Sequence, residues 1–239
     1  IIFDFDDTLV YTYKIFLAAN AKFADTMRAL GLYDDELLKV LDDFDMANVK
    51  RKGGFLPENF PDAMRQTYRY YCAKYHKKPD SVAEENLWKL GWQVFEEEHE
   101  LMPDAEALLR ELKQSHYKLF LLTQGQAKLQ NKKIAASGLG KYFDQIQVVR
   151  QKTIATYEAL LQKFTLDPQL TWMIGNSVKS DINPAQACGI KTILLKATAS
   201  WNFDEDNLTA ECFVAHSLNE CKAIIENGGN LNESKRHSV

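Results

Sequence analysis

Short runs rich in apolar and β-forming residues recur along this chain and alternate with segments of helical periodicity. The runs lie at 1–5, 117–122, 145–149, 170–174 and 191–195, with a last one at 212–215. Apolar runs that are continuous rather than alternating are typical of strands that are buried on both faces of a parallel sheet. Helical patterns separate them at 103–114, 126–137, 152–164, 182–188 and 217–227. This alternation predicts βαβ units, and therefore an α/β fold with a doubly wound parallel sheet.

The long interval between the first two apolar runs departs from this alternation. Residues 13–100 contain no strand run but have helical spacing at 16–30, 35–49, 60–75 and 83–99. We therefore predict a Rossmann-like core domain formed by 1–12 and 101–228, with an all-α cap domain inserted at 13–100. The polar residues 229–239 are predicted to form a disordered tail.

Composition and charge restrict the partners of the protein. A net charge of −4 over 239 residues disfavours a nucleic-acid partner, because phosphate backbones are bound by basic surfaces. The 4 cysteines are scattered without a CxxC pair, which argues against a zinc site and favours a reducing, cytoplasmic location. No apolar stretch approaches the roughly 20 residues that span a bilayer, so no membrane partner is expected. A monomer and a homodimer both remain open. The sequence begins inside an apolar run without a methionine, so we expect residues upstream.

Three carboxylates crowd the end of the first predicted strand, in the string IIFDFDDTLV. Asp4, Asp6 and Asp7 repel one another unless a positive group lies among them or one of them holds a proton. In an open α/β sheet, ligands bind beyond the carboxyl ends of the strands, and strand alternation places Asp4 and Asp6 on the same side. The same string also fits an acidic turn in which Asp6 or Asp7 caps the next segment.

Other predicted strands end in polar residues of a complementary kind. Thr123 precedes Gly125 after one run, Lys152 follows the next, and Asn176 and Asp181 follow a third. Each residue alone is equally consistent with an ordinary turn former, a solvated lysine or an acid at a helix start. Together, on successive strands, they predict a site that holds a phosphate beside a divalent cation, since oxygen ligands bind Mg²⁺ while lysine and hydroxyl groups bind phosphoryl oxygens.

These segments resemble the signatures of a known superfamily. DFDDT at 4–8, Thr123, Lys152 and GNSVKSD at 175–181 are similar to the four motifs of the haloacid dehalogenase-like (HAD) hydrolases. The position of the insert resembles subfamily I, which carries a C1 helical cap. GNSVKSDINPAQACGIKTI, followed by Trp201, looks like a bacterial group of phosphatases within this superfamily. The resemblance covers nearly the whole chain and is specific through the combination of motifs.

The resemblance implies a Mg²⁺-dependent phosphatase that hydrolyses a small phosphomonoester through an aspartyl-phosphate intermediate. Asp4 would be the nucleophile, and Asp6 the general acid that protonates the leaving alcohol and then the base that activates water. The residues implied to contact substrate are Thr8, Thr123, Gln124, Gly125 and Lys152, of which Thr123 and Lys152 also serve the reaction. The implied metal ligands are Asp4, the backbone carbonyl of Asp6, Asn176 and Asp181.

Electrostatics explains why such a site needs a cation. Two unit charges 4 Å apart repel by about 4 kcal/mol at an effective dielectric near 20, and a carboxylate that faces a phosphate dianion meets roughly twice that. A bound Mg²⁺ and Lys152 would offset this repulsion. Asp7 has neither role and is predicted to brace the turn.

The motifs favour phosphate esters but leave more than one function open. The dehalogenating members lack an acid at the position of Asp6, so an acid there favours phosphate esters. Phosphotransferases and mutases of the same fold also carry both acids. Asn176 stands where the family usually has aspartate, and Gln124 stands where asparagine is frequent. Asn176 predicts weaker metal affinity and leaves open a catalytically inactive protein that binds phosphate ligands.

Overall fold

The computed structural model describes residues 1–196, 207–228 and 236–237. The chain divides into two compact units, one formed by Ile1–Tyr13 with His99–Val239 and the other by Lys14–Glu98. Trp201 lies outside the described residues, as does the predicted tail except for 236–237. Within the described ranges, no helix is both long and apolar enough to cross a membrane.

The second unit is helical and has its own apolar core. Its helices are α1 (Tyr13–Ala29), α2 (Leu37–Lys52), α3 (Asn59–Lys74) and α4 (Ser81–Gln93). They overlap the stretches in which the sequence has helical spacing. The fully buried core side chains include Phe23, Met27, Leu41, Met64 and Tyr71. Helices α3 and α4 approach closely at Gly91, because a Cβ added there would lie 2.6 Å from the Cα of Pro61.

The first unit contains a sheet in the order β3-β2-β1-β4-β5-β6-β7. Its strands are β1 (Ile2–Phe3), β2 (Phe120–Gln124), β3 (Gln145–Val149), β4 (Trp172–Gly175), β5 (Lys191–Leu195), β6 (Cys212–Ala215) and β7 (Arg236–His237). Strands β1 to β6 are parallel, and β7 pairs antiparallel with β6. The predicted α/β class with a parallel sheet is therefore confirmed.

Helices cover the sheet on both faces. They are α5 (Ala105–Gln114), α6 (Ala127–Ser137), α7 (Ile154–Phe164), α8 (Asn183–Ala187) and α9 (Leu218–Glu226). Phe3 packs in one apolar cluster with residues of α5, α6 and α9, whereas its neighbour Ile2 packs in a second cluster with residues of α7 and α8. Because successive strand residues point to opposite faces, this division shows a doubly wound sheet.

Strand β1 is shorter than the predicted run at 1–5, and a tight turn at 7–9 follows it. The amide of Asp4 still donates to the carbonyl of Ile174 in β4, at 2.9 Å. Beyond it, the amides of Leu9 and Val10 both donate to the carbonyl of Phe5, at 2.9 and 3.2 Å. The turn therefore brings Val10 back beside Phe5 and Asp6.

Candidate active site

The predicted site residues meet at the carboxyl ends of the central strands. Strand β1 lies between β2 and β4, so Asp4 after β1 is flanked by Thr123 in β2 and Asn176 after β4. Lys152 follows β3 and reaches the same place, because its ammonium group bonds directly to Asp4. This end of an open α/β sheet is where ligands bind.

A buried ion triad forms the centre of the site. Lys152 Nζ donates to Asp4 Oδ1 at 2.5 Å and to Asp181 Oδ1 at 2.6 Å. The residue exposures are 6% for Lys152, 6% for Asp4 and 1% for Asp181, so water screens these charges little. Burial and the charge of Asp181 raise the pKa of Asp4, although Lys152 acts against this shift. Burial disfavours the Lys152 ammonium, but Asp181 and Asp4 outweigh it and raise the pKa of Lys152.

Further oxygen atoms surround this triad. The Thr8 hydroxyl donates to Asp4 Oδ2 at 3.2 Å and lies 3.5 Å from Asn176 Oδ1. Asp181 Oδ2 accepts from the amide of Ser177 at 3.1 Å. Carboxylate, amide and hydroxyl oxygens therefore converge around Asp4.

This oxygen set fits Mg²⁺. Mg²⁺ in proteins is held by one or two carboxylates and completes its shell with water and substrate phosphate. Asp4 and Asp181 supply two carboxylates, and Asn176 supplies an uncharged oxygen. No cluster of three or more Asp, Glu, His or Cys side chains that could hold a metal occurs in the part of the chain that the structure describes.

Gly175 makes this arrangement possible. A Cβ at this position would lie 2.3 Å from Asp181 Oδ2 and 2.4 Å from its Cγ, far inside van der Waals contact. Asp181 therefore folds back over the end of β4 only because residue 175 has no side chain.

Asp6 is held by three side chains on both of its oxygens. Thr12 Oγ1 donates to Asp6 Oδ1 at 2.5 Å, and the Lys133 ammonium forms an ion pair with the same oxygen. Gln130 Nε2 donates to Asp6 Oδ2 at 2.7 Å. Burial raises the pKa of Asp6, but Lys133 and the three hydrogen bonds outweigh it and lower the pKa to about 2. In this arrangement Asp6 is ionised at neutral pH, which is the form that accepts a proton from water.

The third acid of the string stabilises the loop, as predicted from the sequence. Asp7 Oδ1 accepts hydrogen bonds from the amides of Thr12 and Tyr13, at 2.9 and 2.8 Å. Asp7 itself has a φ of 55°, which asparagine and aspartate tolerate better than most residues. It therefore holds the turn that carries Asp6 and Thr8.

The end of β2 supplies the second side of the site. Thr123 is fully buried, and its hydroxyl accepts from Gln130 Nε2 at 2.6 Å. Gln124 Oε1 accepts from the backbone amide of Lys152 at 3.3 Å, which connects the ends of β2 and β3. Gly125 adopts a φ of 145°, a conformation that side-chain-bearing residues rarely adopt.

Lys152 precedes α7 instead of opening it, so the helix predicted at 152–164 begins later. Thr153 is extended and is the N-cap, with a capping box to Thr156, and the first helical residue is Ile154. Lys152 stands directly before the N-cap, and its ammonium is compensated by Asp4 and Asp181.

Sequence reasoning missed three residues that contact the predicted site: Thr12, Gln130 and Lys133. Gln130 and Lys133 are three positions apart in α6 and therefore share a face of that helix. This spacing is the signal that could have identified them, because α6 begins just beyond the end of β2.

The family assignment follows from comparison with known proteins. The family model described as haloacid dehalogenase-like hydrolase matches residues 1–195. The chain belongs to this family. The described site contains the HAD motif residues at the strand ends where the sequence predicted them.

Named relatives and a solved structure extend this finding. The chain is 26% identical to a glyceraldehyde 3-phosphate phosphatase of Pyrococcus abyssi, in an alignment that covers 98% of this chain and 96% of the relative. It is 25% identical to a ribulose-1,5-bisphosphate 5-phosphatase of Halopiger xanaduensis, with 91% and 94% covered. A HAD-like family hydrolase from Xanthomonas campestris has the same fold, with a TM-score of 0.75, 24% identity, and 95% and 90% covered.

Proposed function

We propose that this HAD hydrolase is a Mg²⁺-dependent phosphatase that hydrolyses a small phosphomonoester through a phosphorylated Asp4. The buried contact of Asp4 with Lys152 carries this proposal, because it places a nucleophilic carboxylate beside a fixed cation in a site that water screens poorly. The relatives described above are named phosphatases, which supports the same class of reaction.

The reaction divides into two displacements at phosphorus. In the first, a carboxylate oxygen of Asp4 forms a bond to phosphorus while the ester bond breaks, and the leaving oxygen takes a proton from Asp6. In the second, water attacks phosphorus, the bond to Asp4 breaks, and Asp6 takes a proton from the water. Inorganic phosphate leaves, and both aspartates return to their starting states. Because Lys133 and the hydrogen bonds of Asp6 lower its pKa to about 2, Asp6 must take up one proton from solvent before the first turnover, and the water of the second step restores that proton afterwards.

The remaining residues hold the phosphoryl group and the cation. The Thr123 hydroxyl and the Lys152 ammonium would bind phosphoryl oxygens, together with Thr8 and the backbone near Gln124 and Gly125. The proposed Mg²⁺ ligands are Asp4, the carbonyl of Asp6, Asn176 and Asp181. A bound Mg²⁺ would neutralise charge on the phosphoryl group and on the attacking carboxylate.

We assign the helical unit Lys14–Glu98 the role of the cap that selects the leaving group. The proposed substrate is a small phosphorylated metabolite. We also propose a cytoplasmic location, which accords with the scattered cysteines, and a monomer or homodimer.

An assay of p-nitrophenyl phosphate tests the proposed activity. We expect hydrolysis in the presence of Mg²⁺ and its loss in EDTA, with recovery when Mg²⁺ is added back. A panel of triose phosphates, pentose phosphates and nucleoside monophosphates then identifies the class of leaving group. Phosphate binding without turnover on any substrate would contradict a hydrolase, and so would transfer of the phosphoryl group to a sugar hydroxyl without release of phosphate.

Gly175→Ala tests the proposed metal ligands without removing any of them. The added methyl group must displace Asp181, because it would overlap the carboxylate. We expect the Mg²⁺ concentration for half-maximal activity to rise by about 10- to 100-fold, as for other residues that orient metal ligands. Titration of activity with Mg²⁺ measures the shift, and Gly140→Ala is the control, because its backbone has no positive φ and a Cβ there would lie no closer than 3.4 Å to another side chain, an ordinary contact. Equal Mg²⁺ dependence in Gly175→Ala and the parent would argue against Asp181 as a ligand.

A further inference from the structure

One buried amide links the two sides of the site. Gln130 Nε2 donates to Thr123 Oγ1 at 2.6 Å and to Asp6 Oδ2 at 2.7 Å. An amide nitrogen carries two hydrogens, so one nitrogen bonds the two groups at once. Gln130 therefore connects a hydroxyl proposed to hold the phosphoryl group with the carboxylate proposed to move the proton.

The backbone around Gln130 is built to admit its side chain. Gln130 is only 4% exposed although it is polar, so it is held inside the site. A Cβ on Gly125 would lie 3.1 Å from Gln130 Cγ and 3.3 Å from its Cδ, tighter than most real contacts. The absence of a side chain at Gly125 thus leaves room for the Gln130 amide to reach Thr123.

Gln130 also fixes the plane of the Asp6 carboxylate. Thr12 and Lys133 both bind Oδ1, whereas among the described contacts Gln130 is the donor to Oδ2. Without Gln130, these contacts would hold only Oδ1 of Asp6, and the carboxylate could rotate about the Cβ–Cγ bond. Proton transfer requires the donor oxygen at hydrogen-bond distance from the leaving oxygen, so such rotation would slow it.

We propose that Gln130 is a positioning residue that sets the acid–base carboxylate of Asp6 relative to the phosphoryl site at Thr123. This inference rests on the proposed phosphatase function. It predicts that loss of Gln130 lowers kcat/KM most for esters whose leaving oxygen must be protonated. A p-nitrophenolate leaves readily as the anion, whereas a phenolate or an alkoxide is more basic and depends on Asp6.

The test is the leaving-group dependence of kcat/KM in Gln130→Met. This parameter covers the steps up to cleavage of the ester bond, so it reports the transfer to Asp4 and not the later hydrolysis. We expect kcat/KM to fall on the order of 10²-fold for phenyl phosphate, because a small misplacement of a catalytic group costs that much. For p-nitrophenyl phosphate we expect a loss about tenfold smaller, because general acid catalysis contributes less there. Gln162→Met, at an exposed position of α7, is the matched control and should behave as the parent.

A double variant shows whether Gln130 acts through Asp6. If it does, Gln130→Met adds little further loss in an Asp6→Asn background, because the two changes remove one shared function. A loss that is equal for both esters, or that multiplies with that of Asp6→Asn, would overturn the inference, as would a Gln130→Met enzyme with parental rates. Should Gln130→Met not fold, Gln130→Glu keeps the size of the side chain, places a carboxylate against Asp6, and is expected to show the same dependence on the leaving group. A parent protein that hydrolyses neither ester would instead refute the proposed function itself.

Discussion

Asp4→Asn is expected to lower phosphatase turnover by at least about 10³-fold, which corresponds to about 4 kcal/mol of barrier. An amide oxygen is a much weaker nucleophile than a carboxylate, so the bond to phosphorus does not form. The fold should not suffer, because Asp4 is one of two buried carboxylates that share the single ammonium of Lys152. Burial and the neighbouring acids already raise the pKa of Asp4. The ionised carboxylate is therefore unfavourable in this position, and a neutral asparagine avoids that cost.

Steady-state assays and thermal unfolding of Asp4→Asn separate these two effects. Asp25→Asn is a matched control, because its side chain is 76% exposed on α1 and the substitution is the same. We expect the control to keep parental activity, and Asp4→Asn to unfold at or above the parental temperature in EDTA. Retention of more than a tenth of parental turnover in Asp4→Asn would refute the assignment of Asp4 as the nucleophile.

Much of the sheet could be predicted because most of its strands lie between two neighbours and are rich in apolar residues. The run at 191–195 coincides with β5, whose last four residues are buried. The run at 145–149 coincides with β3, although this strand lies at the edge of the sheet, is only partly buried and carries two glutamines. The first strand was predicted too long. Its length is set by the hydrogen bonds that turn the chain back to Phe5, and hydrophobicity does not report them.

The candidate site was predictable to the extent that it lies at strand ends. Parallel strands bring their carboxyl ends to one edge of the sheet, so polar residues that end successive strands are neighbours wherever they fall in the sequence. Gln130 and Lys133 lie within a helix, where polar residues are typical of a solvent-facing surface. Lys133 contacts Asp6 across 127 positions of the chain, and only the packed structure brings them together.

The crowded acids of the first strand are balanced differently from what the sequence suggested. The sequence called for a cation or a proton among them, and assigned Lys152 to the phosphoryl group. In the structure, two lysines pair with the acids directly: Lys152 lies between Asp4 and Asp181, and Lys133 binds Asp6. Lys152 thus compensates the buried carboxylates even before any ligand is considered. Its substitution should affect stability as well as catalysis.

Lys152→Met is expected to abolish phosphatase activity and to destabilise the fold by about 3–5 kcal/mol in EDTA. Removing one partner of a buried ion pair leaves the other charge uncompensated, and here two carboxylates would face each other without the ammonium. The activity falls because the Lys152 ammonium, which is proposed to bind the phosphoryl oxygens, is absent. Lys132→Met, an exposed position in α6, is the control and should change neither property.

Addition of Asp181→Asn distinguishes the structural role of Lys152 from its catalytic role. With Asp181 neutral, Lys152→Met leaves one buried carboxylate, which can take up a proton and lose its charge. We therefore expect the double variant to regain about 1–3 kcal/mol relative to Lys152→Met, the size of coupling found between contacting charged groups. The double variant should remain inactive, because it lacks both the Lys152 ammonium and the carboxylate of Asp181, a proposed metal ligand. Urea unfolding in EDTA gives the free energies of unfolding, and p-nitrophenyl phosphate assays give the activity.

Two outcomes would contradict this account. Changes in the free energy of unfolding that simply add across the two substitutions would show that Lys152 and Asp181 do not compensate each other. Recovery of turnover with stability would mean that Lys152 serves the fold alone.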